Sequence, residues 1–223
     1  MLAALSGLVD RLRLGILVTG NTYRHPAVLA NMAATLDVAS GGRLEIGLGT
    51  GWVEAEHAAY GIPLPSWKER FDRLEETCEV LHRLFTEDVS SYDGVYYQLD
   101  GATALPKPVQ QPHPPIVIGG TGERRTLRIA ARWADQWNLP GGDPDTLAHK
   151  VDVLHRHCRE VGRDPAEIEV SVKVKADGDP HAFADLVGRY RACGAGHVIA
   201  MFEAPFDPSK LAPLADAVGP MLL

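Results

Sequence analysis

Apolar positions along the chain switch repeatedly between a spacing typical of strands and a spacing typical of helices. Residues 168–175 alternate apolar and polar side chains, which is the period of a half-buried strand. Elsewhere apolar residues recur every three or four positions, and Ser66 with Glu69 forms a capping box that marks a helix start. That helix carries the apolar stripe Trp67, Phe71, Leu74, Cys78 and Leu81. We therefore predict helices between six strands, at residues 12–18, 43–48, 116–118, 134–138, 168–175 and 197–201.

The segment 89–115 departs from this alternation. Its first part is centred on Asp93-Gly94, a dipeptide that favours the tight turn of a β-hairpin. Residues 106–115 then contain five prolines, which exclude a helix and favour an extended connector. We expect a hairpin and a proline-rich insertion at 89–115 within a single domain spanning residues 1–223.

Alternation of strands and helices without an internal repeat predicts a parallel α/β fold. A doubly wound sheet and a (β/α)8 barrel both fit this pattern. Small and polar residues follow nearly every predicted strand, and a barrel brings the carboxyl ends of all its strands to one face. Because six strands are predicted where a barrel has eight, the barrel is either a smaller variant or lacks its first two strand–helix units. The chain begins almost directly with a strand, which favours the incomplete (β/α)8 barrel.

Composition and charge exclude several classes of function. The chain has 223 residues, 45% of them hydrophobic, and a formal net charge of −7, which suits a globular protein. Lys and Arg do not cluster, so we expect no nucleic-acid partner. No apolar run reaches the roughly 18 residues of a membrane span, and the N-terminus does not resemble a signal peptide. We therefore expect a cytoplasmic protein without membrane contact, and its three separated cysteines favour reduced thiols.

A glycine-rich turn is the clearest candidate for chemistry. The predicted strand at 116–118 runs into Gly119-Gly120-Thr121-Gly122 and then into a predicted helix. Backbone N–H groups converge at such a helix start, where the helix dipole is positive, and this favours an anion site. Arg125 stands where the third glycine of a dinucleotide-binding fingerprint should be, so a Rossmann site is not predicted. A tight turn without any ligand explains the same glycines.

His155, His157 and Cys158 raise the question of a metal site. Positions two apart on a helix do not share a face, and no acidic residue completes a tetrahedral set with them. The sequence also contains no H-E-x-x-H, nucleophile elbow or P-loop. We therefore expect no bound metal, and neither hydrolase nor kinase activity.

Several further motifs carry a resemblance to a known family. They are Tyr23-Arg24-His25-Pro26, Ser40-Gly41-Gly42-Arg43-Leu44, Gly47-x-Gly49-x-Gly51-Trp52, Glu56-His57, Arg70-Phe71-Asp72-Arg73-Leu74 and Gly119-Gly120-x-Gly122-Glu123-Arg124-Arg125. With them the chain resembles the bacterial luciferase-like flavin oxidoreductases, in particular their coenzyme F420-dependent branch. The resemblance implies a (β/α)8 barrel that binds F420, or alternatively FMN, at the C-terminal face, and a homodimer when the chain is full length. It also implies that this sequence opens just before the third strand of the barrel.

The resemblance assigns cofactor-binding roles to groups of residues that follow the strands. The cofactor phosphate would be held by Gly119, Gly120, Thr121 and Gly122. The middle of the ring would rest on a bulge, often with a non-prolyl cis peptide, at Thr19, Gly20 and Asn21. The ring or the ribityl chain would be approached by Gly49, Thr50, Gly51 and Trp52, and polar groups of the cofactor would be oriented by Glu56 and His57. An ordinary strand end, a core or subunit-contact tryptophan and a solvated loop explain the same residues without a cofactor.

The expected activity is transfer of a hydride between F420 and a small organic substrate. Two alternatives stay open: an FMN-dependent monooxygenase of the same fold, and a truncated remnant that binds flavin without catalysis. The catalytic residues are unknown, because the F420-dependent sugar-phosphate dehydrogenases that the chain resembles carry a glutamate where this chain has Trp52. Those enzymes take further catalytic residues from the first two barrel units. We therefore expect this chain to bind a cofactor without turning over substrate.

Overall fold

Strands and helices alternate along the chain as the hydrophobic pattern predicts. The computed structural model describes residues 1–176 and 178–221. Four of the six predicted strands form within one residue of their predicted bounds. The chain divides into two compact units, Met1–Gly119 and Gly120–Leu223, and the expectation of a single domain stays a prediction.

The first unit is built around a central parallel strand. In chain order its elements are α1 (Leu2–Ser6), β1 (Leu14–Gly15), β2 (Thr19–Gly20), α2 (Pro26–Ser40), β3 (Leu44–Gly49), α3 (Glu54–Tyr60), α4 (Trp67–Thr86), β4 (Ser90–Asp93), β5 (Gln98–Ala102) and β6 (Ile116–Gly119). The strand β3 pairs in parallel with β1, β2 and β6. Apolar side chains of β3, β6 and α4 form the core of this unit, and Leu48, Leu81 and Ile118 are fully buried.

The predicted strand at residues 12–18 is wrong. The chain forms two short strands there, β1 and β2, and a non-prolyl cis peptide bond between Leu17 and Val18 lies between them. The physical reason is a close approach of this backbone to β3. A Cβ on Gly47 would lie 1.8 Å from the carbonyl oxygen of Ile16, far inside van der Waals contact, so this stretch lies over a glycine of β3 instead of continuing one ladder.

Two carboxylates fix the segment 89–115 to the helices. The hairpin of β4 and β5 is antiparallel, and Glu76 on α4 accepts hydrogen bonds from the N–H groups of Val95, Tyr96 and Tyr97 at 2.9–3.0 Å. Asp37 on α2 is fully buried. Its carboxylate accepts hydrogen bonds from the backbone N–H groups of Val109 and Gln110 in the proline-rich connector. The hairpin therefore forms, and the proline-rich connector contains no helix, but the predicted extended conformation is wrong, because the chain bends at residues 106, 109–112 and 114.

The second unit repeats the strand–helix alternation around the strand β8. Its elements are α5 (Thr126–Trp133), β7 (Gln136–Leu139), α6 (Pro144–Val161), β8 (Glu169–Lys175), α7 (Pro180–Ala192), β9 (His197–Met201) and α8 (Leu211–Val218), with short 3-10 turns before β8 and around α8. The strand β8 pairs in parallel with β7 and β9. Trp137, Leu139 and Val172 are fully buried in this sheet. None of the helices in the described ranges combines the length and the apolar character that crossing a bilayer requires.

Candidate functional site

The carboxyl ends of β2 and β3 lie side by side in the first unit. Gly20 is in register with Gly49, and the N–H of Asn21 donates to the Gly49 carbonyl oxygen at 2.9 Å. Residues 19–21 and 49–51, which the resemblance assigns to one cofactor ring, are therefore neighbours. Ligands of β/α barrels bind where the strands end, so this is the first candidate position for a ligand.

The glycines at these strand ends have a structural reason that needs no ligand. A Cβ on Gly49 would lie 2.7 Å from Cγ2 of Val18, and one on Gly119 would lie 3.1 Å from Cγ1 of the same side chain. Val18 directly follows the cis peptide bond, which lies just before the predicted position at 19–21. Gly51 adopts a positive φ of 72°, a conformation that favours glycine. At Gly49, where the resemblance implies a close approach by the cofactor, the protein's own Val18 side chain makes the close contact, and the same side chain lies against Gly119.

Asn21 carries an unused hydrogen-bond acceptor at this strand end. The residue is 4% exposed, and its Nδ2 donates to the carbonyl oxygen of Arg70 at 3.0 Å, which sets the orientation of the amide. The Oδ1 atom is buried and has no hydrogen-bond partner in the part of the chain that the structure describes. Buried acceptors are nearly always paired, so this oxygen suits a donor supplied by a ligand.

The hydroxyl group of Thr22, which follows Asn21, is hydrogen-bonded to a buried histidine. The sequence predicted a loop after β3, which is wrong, because Glu54 to Tyr60 form α3 with acidic residues in its first turn and Gly61 closing it. His57 on α3 is 1% exposed, and its Nδ1 donates to the Val53 carbonyl oxygen at 2.8 Å. In the neutral ring Nε2 is then an acceptor, and it receives the Thr22 hydroxyl proton at 2.8 Å. This pair can accept a proton from a hydroxyl placed against Thr22.

Tyr23 and Glu56 form a second polar pair beside the histidine. The phenol of Tyr23 donates to Glu56 Oε2 at 2.5 Å, and its ring stacks on that of His57 with centroids 4.8 Å apart. The hydrogen bond to the carboxylate, followed by burial, raises the pKa of Tyr23 to about 12. Glu56, a predicted cofactor contact, therefore already has a partner within the protein, and Tyr23 stays protonated at neutral pH.

A cleft of about 310 Å³ opens beside these pairs. Its lining residues are Asn21, Thr22, Tyr23, Arg24, His25, Pro63, Pro65, Arg73 and Tyr97. His25 caps α2, since its Nδ1 accepts the N–H of Ala27 at 3.2 Å, and its ring meets Tyr97 edge to face. Of the predicted cofactor-binding residues 19–21, 49–52 and 56, Asn21 is the one among the lining residues of this cleft, and Trp52 is 76% exposed.

The glycine-rich turn of the second unit precedes α5. The N–H of Gly120 donates to the Asn138 carbonyl oxygen at 3.1 Å, so this donor is not available to a phosphate. Thr121 and Gly122 are exposed, and neither N–H has a backbone partner among the described residues. A Cβ on Gly122 would lie 2.8 Å from Oγ1 of Thr126. Of the backbone N–H groups at residues 120–122, those of Thr121 and Gly122 are therefore the two that can donate to the predicted anion.

Glu123 fixes this turn to α6. Its carboxylate accepts from Lys150 at 2.6 Å and from His149 at 2.9 Å, and these hydrogen bonds, the one from Lys150 first, lower the pKa of Glu123. His157, considered above for a metal, donates from Nε2 to the Glu123 carbonyl oxygen at 2.8 Å. These contacts hold Glu123 just before α5, which starts at Thr126. No cluster of three metal-ligating side chains occurs in residues 1–176 and 178–221.

Comparison with known proteins places these features in context. The family model of luciferase-like monooxygenases matches residues 1–177. The F420-dependent glucose-6-phosphate dehydrogenase of Microbacterium testaceum is 33% identical over 182 residues, covering 80% of this chain and 53% of the relative. The FMNH2-dependent dimethylsulfone monooxygenase of Pseudomonas putida is 35% identical over 185 residues, covering 76% of this chain and 51% of the relative.

The chain spans between about half and two thirds of the length of the curated relatives it matches. Among solved structures, the coenzyme F420-dependent tetrahydromethanopterin reductase of Methanopyrus kandleri superposes with a TM-score of 0.87 at 18% identity, covering 100% of this chain and 86% of that chain. At this identity the likeness shows the fold alone. Together with the family match, it confirms the predicted fold class, the luciferase-like (β/α) barrel.

Proposed function

The chain belongs to the luciferase-like monooxygenase family, whose relatives include F420-dependent and FMN-dependent oxidoreductases, and from this premise we propose that it is a deazaflavin-dependent oxidoreductase. In this proposal a hydride passes between F420 and a small organic substrate. The second candidate, an FMN-dependent monooxygenase, is favoured by the monooxygenase relative at 35% identity. Both functions place a tricyclic ring at the carboxyl ends of β2 and β3.

The observation that carries the proposal is the buried, unpartnered Oδ1 of Asn21. Flavins and deazaflavins share a pyrimidinedione edge with one N–H donor between two carbonyl groups. An acceptor held at a strand end by the amide's other hydrogen bond fits that donor, and an unpaired buried acceptor is otherwise costly. The proposal therefore gives Asn21 the role of recognising the ring, with the neighbouring residues Thr19, Gly20, Thr50 and Gly51 supplying backbone contact.

The phosphate of the cofactor is a separate part of the proposal and concerns the second unit. Thr121 and Gly122 supply exposed N–H groups just before a helix start, where the helix dipole favours an anion. When bound, the cofactor supplies a ring carbon that accepts or releases the hydride. The residues of this chain would bind and orient it and exclude water from the reacting face.

Equilibrium titration of the purified protein with F420 and with FMN, each followed by its own fluorescence, tests this proposal. An F420 oxidoreductase should bind F420 with saturation and more tightly than FMN. Tighter binding of FMN would instead favour the monooxygenase. Binding of neither cofactor would refute both functions.

A further inference from the structure

The cleft beside the strand ends has an excess of cationic groups. The arginines Arg24 and Arg73 line it beside the imidazole ring of His25, and none of its lining residues is an aspartate or glutamate. The rest of the lining combines the polar side chains of Asn21 and Thr22 with apolar or aromatic ones, such as those of Pro63 and Tyr97. A cleft with this lining attracts an anion and presents an apolar surface to the rest of the ligand.

The two arginines of the cleft differ in their ion pairs. Arg73 pairs with Glu69 at 2.8 Å, and its guanidinium lies over the rings of Tyr96 and Tyr97. In the described part of the chain, no carboxylate forms an ion pair with Arg24, which is only partly exposed. The carboxylate of Glu56, which accepts the Tyr23 hydrogen bond, is exposed to solvent, so water screens much of its charge.

Two further groups define the polar side of the ligand. The Nδ1 of His25 accepts the N–H of Ala27, so in the neutral ring Nε2 carries the proton and acts as a donor. Thr22 donates its hydroxyl proton to His57, so the lone pairs of Thr22 Oγ1 remain as an acceptor for a ligand hydroxyl. The cleft therefore combines donors for an anion with one acceptor for an O–H group.

We infer that this cleft binds a small organic anion that carries a hydroxyl group, such as a hydroxycarboxylate or a hydroxyalkyl phosphate, with the anionic group on Arg24 and the hydroxyl on Thr22. This inference rests on the proposed function in one respect, namely that the bound anion is the substrate. Both carboxylate and phosphate make charge-assisted hydrogen bonds to a guanidinium, and these are stronger than neutral ones. The cofactor's own phosphate is the competing source of an anion.

The test uses the cofactor-free protein and three probes: 3-hydroxybutyrate, glycerol 3-phosphate and uncharged butane-1,3-diol. Binding is followed by chemical-shift changes of backbone amides in NMR spectra at low and high salt. At least one anion should shift resonances of residues 21–25, with weaker binding at high salt, while the diol should not. Anion affinity should fall about tenfold or more in Arg24→Gln, fall in Thr22→Val, and stay unchanged in the matched variant Arg11→Gln, an exposed arginine outside the cleft.

Three outcomes would overturn the inference. The first is no shift with either anion, and the second is equal binding of the diol. The third is that Arg24→Gln weakens binding of FMN but not of riboflavin, which would assign the anion to the cofactor. If F420 and FMN both fail to bind while the anions bind as expected, the proposed function fails and the anion site stands, so the two failures are distinguishable.

Discussion

Replacing Gly49 by alanine tests whether glycine at this strand end serves the fold or the cofactor. The added Cβ would lie 2.7 Å from Val18 Cγ2, roughly 1 Å closer than an optimal carbon–carbon contact. Overpacking of this kind costs about 1–3 kcal/mol of the free energy of unfolding. Each kcal/mol lowers the melting temperature by roughly 2–4 °C in a chain of this size. We therefore expect Gly49→Ala to melt several degrees below the wild type, with no cofactor present.

A double-mutant cycle makes this prediction specific. In a Val18→Ala background, Gly49→Ala should cost much less, because the atom it collides with is gone. Gly7→Ala serves as the matched control, since Gly7 has a φ of −85° and its Cβ would meet no atom closer than 3.8 Å. Thermal unfolding followed by circular dichroism measures the four proteins of the cycle and the Gly7→Ala control. An unchanged melting temperature for Gly49→Ala, or equal costs in both backgrounds, would refute the packing explanation.

Three further predictions concern single groups. The pKa of Tyr23 should lie at about 12, above the ordinary value of 10.0, because the phenol donates a hydrogen bond to Glu56, so this bond stabilises the fold below pH 10 and the stabilisation is lost as the pH rises to 12. The difference in tyrosinate absorbance between wild type and Tyr23→Phe measures this pKa, and a midpoint near 10 would contradict the prediction. Asp143, the N-cap of α6, has a lowered pKa because its carboxylate accepts the N–H of Thr146. Asp143→Ala should therefore be less stable towards urea than Asp152→Ala at neutral pH, and this difference in stability should narrow as the pH falls below the ordinary pKa of 3.8. An equal difference at both pH values would count against the capping interaction. Gly122→Asp should weaken binding of FMN far more than binding of riboflavin, which lacks the phosphate, and equal effects on the two ligands would place the phosphate elsewhere.

Sequence periodicity correctly predicted the elements whose pattern of apolar residues lies within one short stretch of the chain. The strands β3, β6, β8 and β9 were found because their side chains alternate or are uniformly apolar, and the capping box at Ser66 appears as a hydrogen bond from Glu69 N–H to the Ser66 hydroxyl. The helix α3 was missed because His57 is its one buried residue, so no apolar stripe of helical period marks it. The single strand at 12–18 was predicted because its apolar residues are continuous, and periodicity carries no information about the close approach of Ile16 to Gly47.

The candidate site was predictable only where strand ends meet. Parallel pairing brings residues 19–21 beside 49–51, and the rule that strand carboxyl ends share one edge is sufficient to predict that. The pairing of Thr22 with His57 joins residues 35 positions apart, and no local pattern signals it. Arg73 and Tyr97 reach the cleft from α4 and from the hairpin, two elements whose packing the sequence does not specify. The polar lining of the cleft therefore required the three-dimensional structure.

The most direct test of the account is the affinity of F420 and FMN for Asn21→Ala, measured beside wild type and Asn31→Ala. Asn31 is an exposed asparagine on α2 whose Nδ2 donates to the Ala27 carbonyl oxygen, so it controls for loss of an amide away from the strand ends. Melting temperatures of the three proteins establish that each is folded. Because both cofactors share the ring N–H, we expect Asn21→Ala to bind each of them about tenfold or more weakly than wild type, and Asn31→Ala to bind them as well as wild type. Wild-type affinity in a folded Asn21→Ala protein would contradict the assignment of the ring to the carboxyl ends of β2 and β3.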